Sequence, residues 1–341
     1  MKKTFKIILA SLIAFLAWYH QEVAYGLQQC YGQFKVIFGA KPIQLYLSDN
    51  QYPDSLKYKI RLIQEIKKFA EDSLGISPSD SYQTLYDQKG KPLIWVVTAC
   101  KPFEMKAKYW TFPLAGSFSY KGFFLEERAI KEAERLQAIG YDTDINTVSA
   151  WSTLGILNDP ILSEMLNWSE GTLASTIIHE LTHGTIFVKS DINYNENLAS
   201  FVGDEGAKLF LIHRFGNESV EFKKYLQRKE DKERFSQYAL RAALYLDTLY
   251  QSFTPAMSLE EKKQKKKKAL LQIVSSLDTL KFNNPLYYKY FEDFFPNNAF
   301  FMAFRRYREK QKEFRDEMNL KFGGNLRQYI DYHKKINPSF F

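Results

Sequence analysis

Apolar side chains along much of this chain recur every three or four residues, the spacing of a helix with one buried face. Residues 58–69 show this pattern, and so do residues 126–137, whose outward positions carry charges of both signs. We therefore predict an amphipathic helix at each place. Residues 31–74 as a whole, and the chain from residue 215 onward, are also predicted to be mainly helical.

Two stretches are β-branched and aromatic instead, and they predict strands. These are residues 93–98, which follow Gly90 and Pro92, and residues 145–154. Residues 110–124 are rich in aromatic residues and glycine and predict a loop with short strands. Together these patterns predict an α+β fold that is predominantly helical.

Helix boundaries in the last third follow from capping residues. Ser258 and Glu261 predict a capping box that opens one helix. Asn298 predicts the cap of a further helix, and Gly323 with Gly324 predicts its end.

Residues 173–183 form an apolar stretch that holds two of the five histidines, His179 and His183. Residues four apart lie on one face of an α-helix, so both imidazoles can bind one metal ion, with Glu180 about 100° around the axis. This H-E-x-x-H arrangement supplies two zinc ligands and a carboxylate that can accept a proton from water. The alternative is a core helix whose histidines are satisfied by hydrogen bonds.

Glu196 is the candidate third ligand, since a catalytic zinc needs three protein ligands and one open position. Gly184 and the polar residues 189–193 would let the chain reverse, so that a second helix beginning near Asn193 returns Glu196 to the metal. We thus predict one Zn²⁺ per chain. In the competing interpretation Asn193 and Glu196 form a capping box and bind only backbone donors.

Glu205 lies on the opposite side of that second helix from Glu196. The face of that helix that carries Glu196 also carries three small residues, which predicts that the two helices approach closely: Ser200, Gly203 and Ala207. Glu205 is therefore predicted to contact the metal ligands without binding the metal, to face the substrate, or to be solvated. His213 is predicted to be structural.

The N-terminus begins with Lys2, Lys3 and Lys6, followed by thirteen apolar or nearly apolar residues, 7–19. A helix of this length spans about 20 Å, less than the roughly 30 Å hydrocarbon core of a membrane. The pattern is typical of an export signal. We predict that residues 1–26 are a signal peptide or a retained membrane anchor, and that the remaining chain is exported and lies in the cell envelope.

The cysteine and charge content of the chain restricts which structural classes and binding partners are possible. The two cysteines, Cys30 and Cys100, exclude a disulfide scaffold and a cysteine-based zinc finger, although an exported chain could pair them. The chain has 47 basic and 39 acidic residues, and the lysines of residues 262–268 supply much of the difference. This run could contact anionic lipid or nucleic acid. No nucleic-acid motif accompanies it, so we expect a solvated helix face and no nucleic-acid partner.

Several further motifs occur in a fixed order with the histidine motif. They are Gly32-Gln33, Phe112-Pro113, Gly116, Tyr120-x-Gly122, Ser152-Thr153-Leu154-Gly155, Asp159-Pro160, Asn195-Glu196, Glu205-Gly206 and Asn297-Asn298-Ala299. In these residues the chain resembles a bacterial family of predicted zinc aminopeptidases of the zincin group, from about residue 25 to the C-terminal helices.

The resemblance implies a zincin-like core with a small sheet, the histidine-motif helix and a following helix that bears Glu196. It implies a metallopeptidase core in residues 27–215, with a helical C-terminal region, 216–341, packed on it. It also implies that His179, His183 and Glu196 bind zinc and that Glu180 is the base.

The chain departs from the family pattern at two places. Thr111 and Ser117 stand where the family commonly has cysteines, so a disulfide expected there is absent. Trp151 and Tyr194 replace the Tyr and Phe expected from the family, which would reshape the pocket without changing the metal ligands.

The expected reaction is zinc-assisted hydrolysis of a peptide bond, with a peptide as the substrate. Tyr120 and Tyr194 are candidates to stabilise the oxyanion, and Glu205 could bind the α-amino group of an aminopeptidase substrate. An extended peptide could pair with the strand that contains Ser152, Thr153 and Gly155, or that strand could simply be buried.

Two other functions fit the same sequence. One is a zinc endopeptidase of the cell envelope, which free and blocked peptide N-termini would distinguish from an aminopeptidase. The other is a membrane-tethered scaffold with a structural zinc, which would require a fourth ligand, such as His213 or Glu205. The sequence does not specify the oligomeric state.

Overall fold

The structure, a computed structural model, describes residues 19–112, 116–148, 157–189, 191–308 and 310–337. Among these residues, three helices precede the first long strand: α1 (His20–Gly39), α2 (Ile43–Ser48) and α3 (Asp54–Leu74). The predicted helix at 58–69 is confirmed and extends further in both directions. It ends at Gly75, whose φ of 80° requires a left-handed backbone conformation that glycine tolerates best.

A three-stranded antiparallel sheet forms around the strand predicted at 93–98. Its strands are β3 (Ile94–Cys100), β6 (Lys121–Phe123) and β7 (Asp142–Val148), in the order β6-β3-β7. Helix α4 (Glu126–Ala138) lies between β6 and β7 in the chain and buries its apolar face against this sheet, together with Val97, Ala99, Trp110 and Phe123. The predicted strand 145–154 is therefore present as far as residue 148, and its residues Ser152, Thr153 and Gly155 lie outside the described residues.

The aromatic stretch after β3 contains the predicted short strands, including the hairpin of β4 (Trp110–Phe112) and β5 (Gly116–Phe118). Thr111 and Ser117 are directly opposite one another in this hairpin, and their hydroxyl oxygens lie 2.7 Å apart. The two positions where relatives are expected to carry cysteines are thus a cross-strand pair, and here a hydrogen bond joins them. Cys30 and Cys100 are both free.

A second small sheet joins distant parts of the chain. It contains β1 (Lys41–Pro42), β2 (Thr84–Tyr86) and β8 (Ile161–Leu162), in that order. A 3₁₀ turn, Ser163–Asn167, follows β8 and leads into the helix with the histidine motif. This sheet therefore fixes the point at which that helix begins.

The helices that follow are α5 (Glu170–His183), α6 (Ile192–Phe215), α7 (Val220–Gln251) and α8 (Leu259–Ser276). Ser169 caps α5 and Ser219 caps α7, each accepting a hydrogen bond from a backbone N–H three residues on. The capping box predicted from Ser258 and Glu261 is present at the start of α8. Within the lysine run of α8, Lys266 forms an ion pair with Asp142.

The last predicted helix is two helices, α9 (Asn298–Arg308) and α10 (Gln311–Phe322), followed by α11 (Leu326–Ile336). Gly323 ends α10 as predicted, with a φ of 58°. The prediction that Asn298 caps α9 is wrong, because Asn297 accepts the hydrogen bond from the backbone N–H of Phe300. The Asn298 side chain is instead buried and donates to the carbonyl oxygens of Lys101 and Pro102.

The largest apolar core lies around α5 and α6 and includes side chains of α3, α10 and α11. Its buried residues include Ile63, Ile66, Leu173, Ile177, Ile178, Phe201, Val202, Phe314, Tyr329 and Ile330. A second core, rich in aromatic residues, joins α7, α8 and α9. The fold is thus α+β and predominantly helical, as the sequence predicted.

Within the described residues, no helix is both long enough and apolar enough to cross a membrane.

Candidate metal centre

Helices α5 and α6 pack antiparallel with their polar side chains in register. Glu196 faces the two histidines, and one turn further along Ser200 lies opposite His179, with 3.5 Å between the hydroxyl oxygen and Nδ1. Another turn on, the Ser175 hydroxyl donates to Asp204 Oδ1 at 3.0 Å. One polar row on each helix therefore meets the other over two turns, as the spacing of four residues requires.

Gly203 makes this close packing possible. A Cβ atom at residue 203 would lie 2.5 Å from the backbone oxygen of Ser175 and 3.1 Å from Cβ of His179. Only glycine can occupy a helix position that approaches another backbone so closely. The prediction that small residues bring the two helices together is confirmed at this position.

Three donor atoms form a small triangle at one end of the paired rows. Nε2 of His179 and Nε2 of His183 lie 3.2 Å apart, and Glu196 Oε2 lies 3.4 Å and 3.6 Å from them. Zinc bonds of about 2.0–2.1 Å in a tetrahedral site place neighbouring ligands about 3.3–3.4 Å apart. The triangle therefore fits three corners of a zinc tetrahedron, and within the described residues this is the group of side chains able to hold a metal.

The capping-box interpretation of Glu196 does not hold in the structure. Helix α6 begins at Ile192, and its cap is Asp191, which accepts a hydrogen bond from the backbone N–H of Tyr194. Asn193 and Glu196 therefore form no capping box. The rings of His179 and His183 lie edge to face, and both contact Glu196 rather than the solvent-exposed surface of the helix.

The electrostatics of the triangle favour a cation. Burial opposes ionisation of Glu196, but His183 and His179 outweigh that effect and hold the pKa of the carboxyl well below its usual value. Burial likewise opposes a charge on His183, but Glu196 outweighs it and raises the pKa of that imidazole. The carboxylate thus stays ionised and stabilises positive charge between the rings.

Glu180 lies beside the triangle with a different environment. Burial raises its pKa, the nearby charge of Glu196 adds to this, and the two histidines act in the opposite direction. Tyr82 shares this environment, because burial and the charge of Glu180 both raise the pKa of its hydroxyl. The φ of Tyr82 is 67°, which is unusual for a residue other than glycine. The backbone of this tyrosine is therefore strained.

A cavity of about 520 Å³ opens over this face of α5 and α6. It is lined by Ser175, Thr176, His179, Glu180, Ser200, Asp204, Arg228, Lys232, Phe235, Ser236, Tyr287, Tyr290, Ala303 and Phe304. Its floor is therefore the metal-binding face, and its walls combine cationic and aromatic side chains of α7, α9 and the segment before α9. This size is within the range of ligand pockets of a few hundred Å³ or more.

The structure does not bring Glu205 or His213 to the metal ligands. Glu205 is buried and forms ion pairs with Lys208 and with Lys229, the latter at 3.0 Å. Burial raises its pKa, but the two lysines outweigh burial and lower it. The His213 ring packs at a tilt against Phe69 with 5.2 Å between ring centres, as a structural residue would. Neither supplies a fourth ligand.

The two tyrosines proposed for the oxyanion lie in different surroundings. The Tyr194 hydroxyl is 3.2 Å from Nδ1 of His333, and its ring packs edge-on against Phe314. Burial raises its pKa to about 12. Tyr120 packs edge-on against Phe118 in the hairpin region. Neither is among the described residues that line the cavity, and their catalytic roles stay predictions.

Asp204 is the polar residue that the sequence prediction missed. It is buried, it lines the cavity, and its carboxylate accepts hydrogen bonds from Ser175 and Tyr225. The sequence contains the information needed to find it, because Glu196, Ser200 and Asp204 follow one another at a spacing of four and so lie on one face of the helix. The cationic residues of α7 carried no such signal, since only the packing of α7 brings them to the cavity.

The sequence matches the model of one protein family, described as "Putative aminopeptidase", over residues 24–338. The match covers nearly the whole chain, so the chain belongs to this family, and a peptidase function follows at that level. No curated protein and no solved structure matches the chain.

Proposed function

We propose that this protein is a zinc-dependent aminopeptidase. The observation that carries the proposal is the triangle of His179, His183 and Glu196, whose edges of 3.2–3.6 Å fit a tetrahedral zinc site. Three protein ligands leave one position for water or substrate, whereas a structural zinc normally has four protein ligands. The cavity is lined by His179 and Glu180, so a peptide bound in it would lie against this side of the triangle.

A bound zinc ion would lower the pKa of a water molecule towards about 7 and polarise the carbonyl of the scissile bond. Glu180 is the general base in this proposal: it accepts the proton of the attacking water and then donates it to the leaving amine. It lines the cavity directly beside His179, so it can reach the water without leaving its helix.

The oxyanion also needs a donor. Tyr82, whose hydroxyl pKa is raised by burial and by the charge of Glu180, joins Tyr120 and Tyr194 as a candidate, and like them it is not among the described residues that line the cavity. We expect Tyr82→Phe to lower kcat by about 10²-fold, the usual effect of losing one oxyanion donor, while zinc content stays unchanged.

Asp204 is the residue that we propose for binding the substrate's α-amino group. It lies one turn beyond His179 along the paired helices, and Ser175 and Tyr225 hold its carboxylate in place. One helical turn is about 5.4 Å, close to the separation expected between an α-amine partner and the scissile carbonyl. Glu205, the residue predicted for this role, is instead engaged by its two lysines.

The test uses matched peptides with a free or an acetylated N-terminus. Wild type should cleave the first bond of the free peptides and should cleave the acetylated ones at least 10²-fold more slowly. Asp204→Asn should raise KM for free peptides and reduce this ratio, and Glu180→Gln should lose activity with both. Cleavage of internal bonds at equal rates in both series would show that the protein is an endopeptidase and not an aminopeptidase.

We also propose that the protein acts in the cell envelope, on the strength of the basic residues and apolar stretch at its N-terminus. Fusion of residues 1–26 to a reporter enzyme that is active only outside the cytoplasm tests this. An inactive fusion would contradict export.

A further inference from the structure

The wall of the cavity that faces the paired helices is formed by α7. Arg228 and Lys232 lie one turn apart on this helix and both line the cavity, and Phe235 follows on the same face. Asp204 and Glu180 are the acidic residues of the lining, and both already have roles in the proposed function. The two cations are charged groups of the cavity that the reaction does not use.

Arg228 differs from the other cations around it. Lys229 pairs with Glu205, and Arg234 pairs with Glu230. The Arg228 guanidinium donates to the hydroxyl of Thr172, a neutral group, and it forms no ion pair with any carboxylate in the described part of the chain. A guanidinium has five N–H donors in a planar fork that matches a carboxylate, so most of its capacity is available to a ligand.

The distance from the metal ligands limits which carboxylate could bind there. Arg228 contacts Thr172, which lies two turns before His179 on α5, or about 10 Å along the helix axis. Two residues of extended peptide span about 7 Å, and a hydrogen bond adds about 3 Å. A carboxylate about two residues' length from the scissile carbonyl would therefore reach the guanidinium.

We infer that Arg228, with Lys232 beside it, is a carboxylate-binding subsite that makes the peptidase prefer substrates with an acidic group near the scissile bond. The inference rests on the proposed function. Asp204 faces Ser175, which lies between His179 and Thr172 on α5, so the side chain of an N-terminal Glu, about 6 Å long when extended, is the source that the geometry favours. The free C-terminus of a short peptide carries the same chemistry.

Binding to the zinc-loaded Glu180→Gln protein, measured by calorimetry, tests the inference without requiring cleavage. One pair of ligands is Glu-Ala-amide and Gln-Ala-amide, and the other is Ala-Ala-Ala and its C-terminal amide. We expect the acidic member of one pair to bind about tenfold more tightly than its neutral partner, in line with a charge-assisted hydrogen bond. The pair that shows this difference identifies the source of the carboxylate.

Arg228→Gln should abolish the preference, and Arg228→Lys, which keeps the charge but not the fork, should retain part of it. Arg241→Gln is the matched control, since it removes the same charge from an exposed position of α7 outside this cavity. Thermal unfolding of each variant checks that the contact with Thr172 is not needed for folding. Equal binding of acidic and neutral peptides by the Glu180→Gln protein, or an equal loss in Arg228→Gln and Arg241→Gln, would overturn the inference.

These outcomes are separate from a failure of the proposed function. If wild type cleaves peptides without preferring acidic ones, the subsite is wrong and the aminopeptidase stands. If no peptide is cleaved but acidic peptides bind through Arg228, the subsite stands and the reaction must be different.

Discussion

Replacing Gly203 with alanine tests how the two metal-binding helices are held together. The new methyl group would lie 2.5 Å from the Ser175 backbone oxygen, and ordinary contacts of a Cβ atom begin at 3.4 Å. The obstacle is backbone and cannot rotate away, so α5 and α6 must separate by about 0.9 Å near His179. Such overpacking costs about 1–3 kcal/mol or more.

A second effect of the same substitution has the opposite sign. Alanine stabilises a helix interior by about 1 kcal/mol relative to glycine. Gly26→Ala is the matched control when both variants are made in the full-length chain with residues 1–26 retained, because no atom lies within 4 Å of a Cβ built at that helical position. We expect Gly26→Ala to gain up to about 1 kcal/mol, and Gly203→Ala to lose about 1–3 kcal/mol, in urea unfolding measured with a chelator present.

The separation of the helices should also weaken zinc binding. Glu196 lies 3.4 Å and 3.6 Å from the two histidine nitrogens, and a shift of about 0.9 Å would stretch these distances beyond the edges of a zinc tetrahedron. Competitive titration should show a zinc Kd at least tenfold higher for Gly203→Ala than for Gly26→Ala. Equal stability and equal zinc affinity of the two variants would refute the reasoning.

Three further predictions concern the rest of the fold. Replacing both Thr111 and Ser117 with cysteine should form a disulfide under oxidising conditions and raise stability by about 2 kcal/mol, seen as a Tm that falls on reduction and is unchanged in the single variants. Asn298→Ala should cost about 1–3 kcal/mol in urea unfolding, because the partly buried carbonyl oxygens of Lys101 and Pro102 lose their donor. Burial lowers the pKa of His333 despite the nearby Glu317, so the folded state favours the neutral ring. Stability should therefore fall as pH drops below about 6.5, and His333→Gln should lose this part of the pH dependence between pH 5 and 8.

The metal site could be predicted from the sequence because its information is local. His179, Glu180 and His183 lie within one and a half turns of a helix, where spacing alone fixes their relative direction. Glu196 required one further assumption, a reversal of the chain followed by a second helix. The small residues of that helix supported the assumption, and Gly203 shows why they are needed.

The substrate side could not be predicted in the same way. Arg228, Tyr287 and Phe304 reach the cavity only because α7, α9 and the segment before α9 pack over α5, and no spacing in the sequence encodes that packing. The wrong cap at Asn298 has a similar cause. The Asn298 side chain donates a hydrogen bond to a backbone oxygen just after β3, so Asn297 caps α9 instead.

The zinc content of the protein tests most directly whether His179, His183 and Glu196 form a zinc site. Wild type, Glu180→Gln and Glu196→Gln would be purified, dialysed against equal zinc and analysed by mass spectrometry for metal per chain. We expect one zinc per chain in wild type and in Glu180→Gln and well under one in Glu196→Gln, with peptide cleavage in wild type alone. Full zinc content in Glu196→Gln, or undiminished cleavage by wild type after a chelator has removed its zinc, would contradict the proposed site.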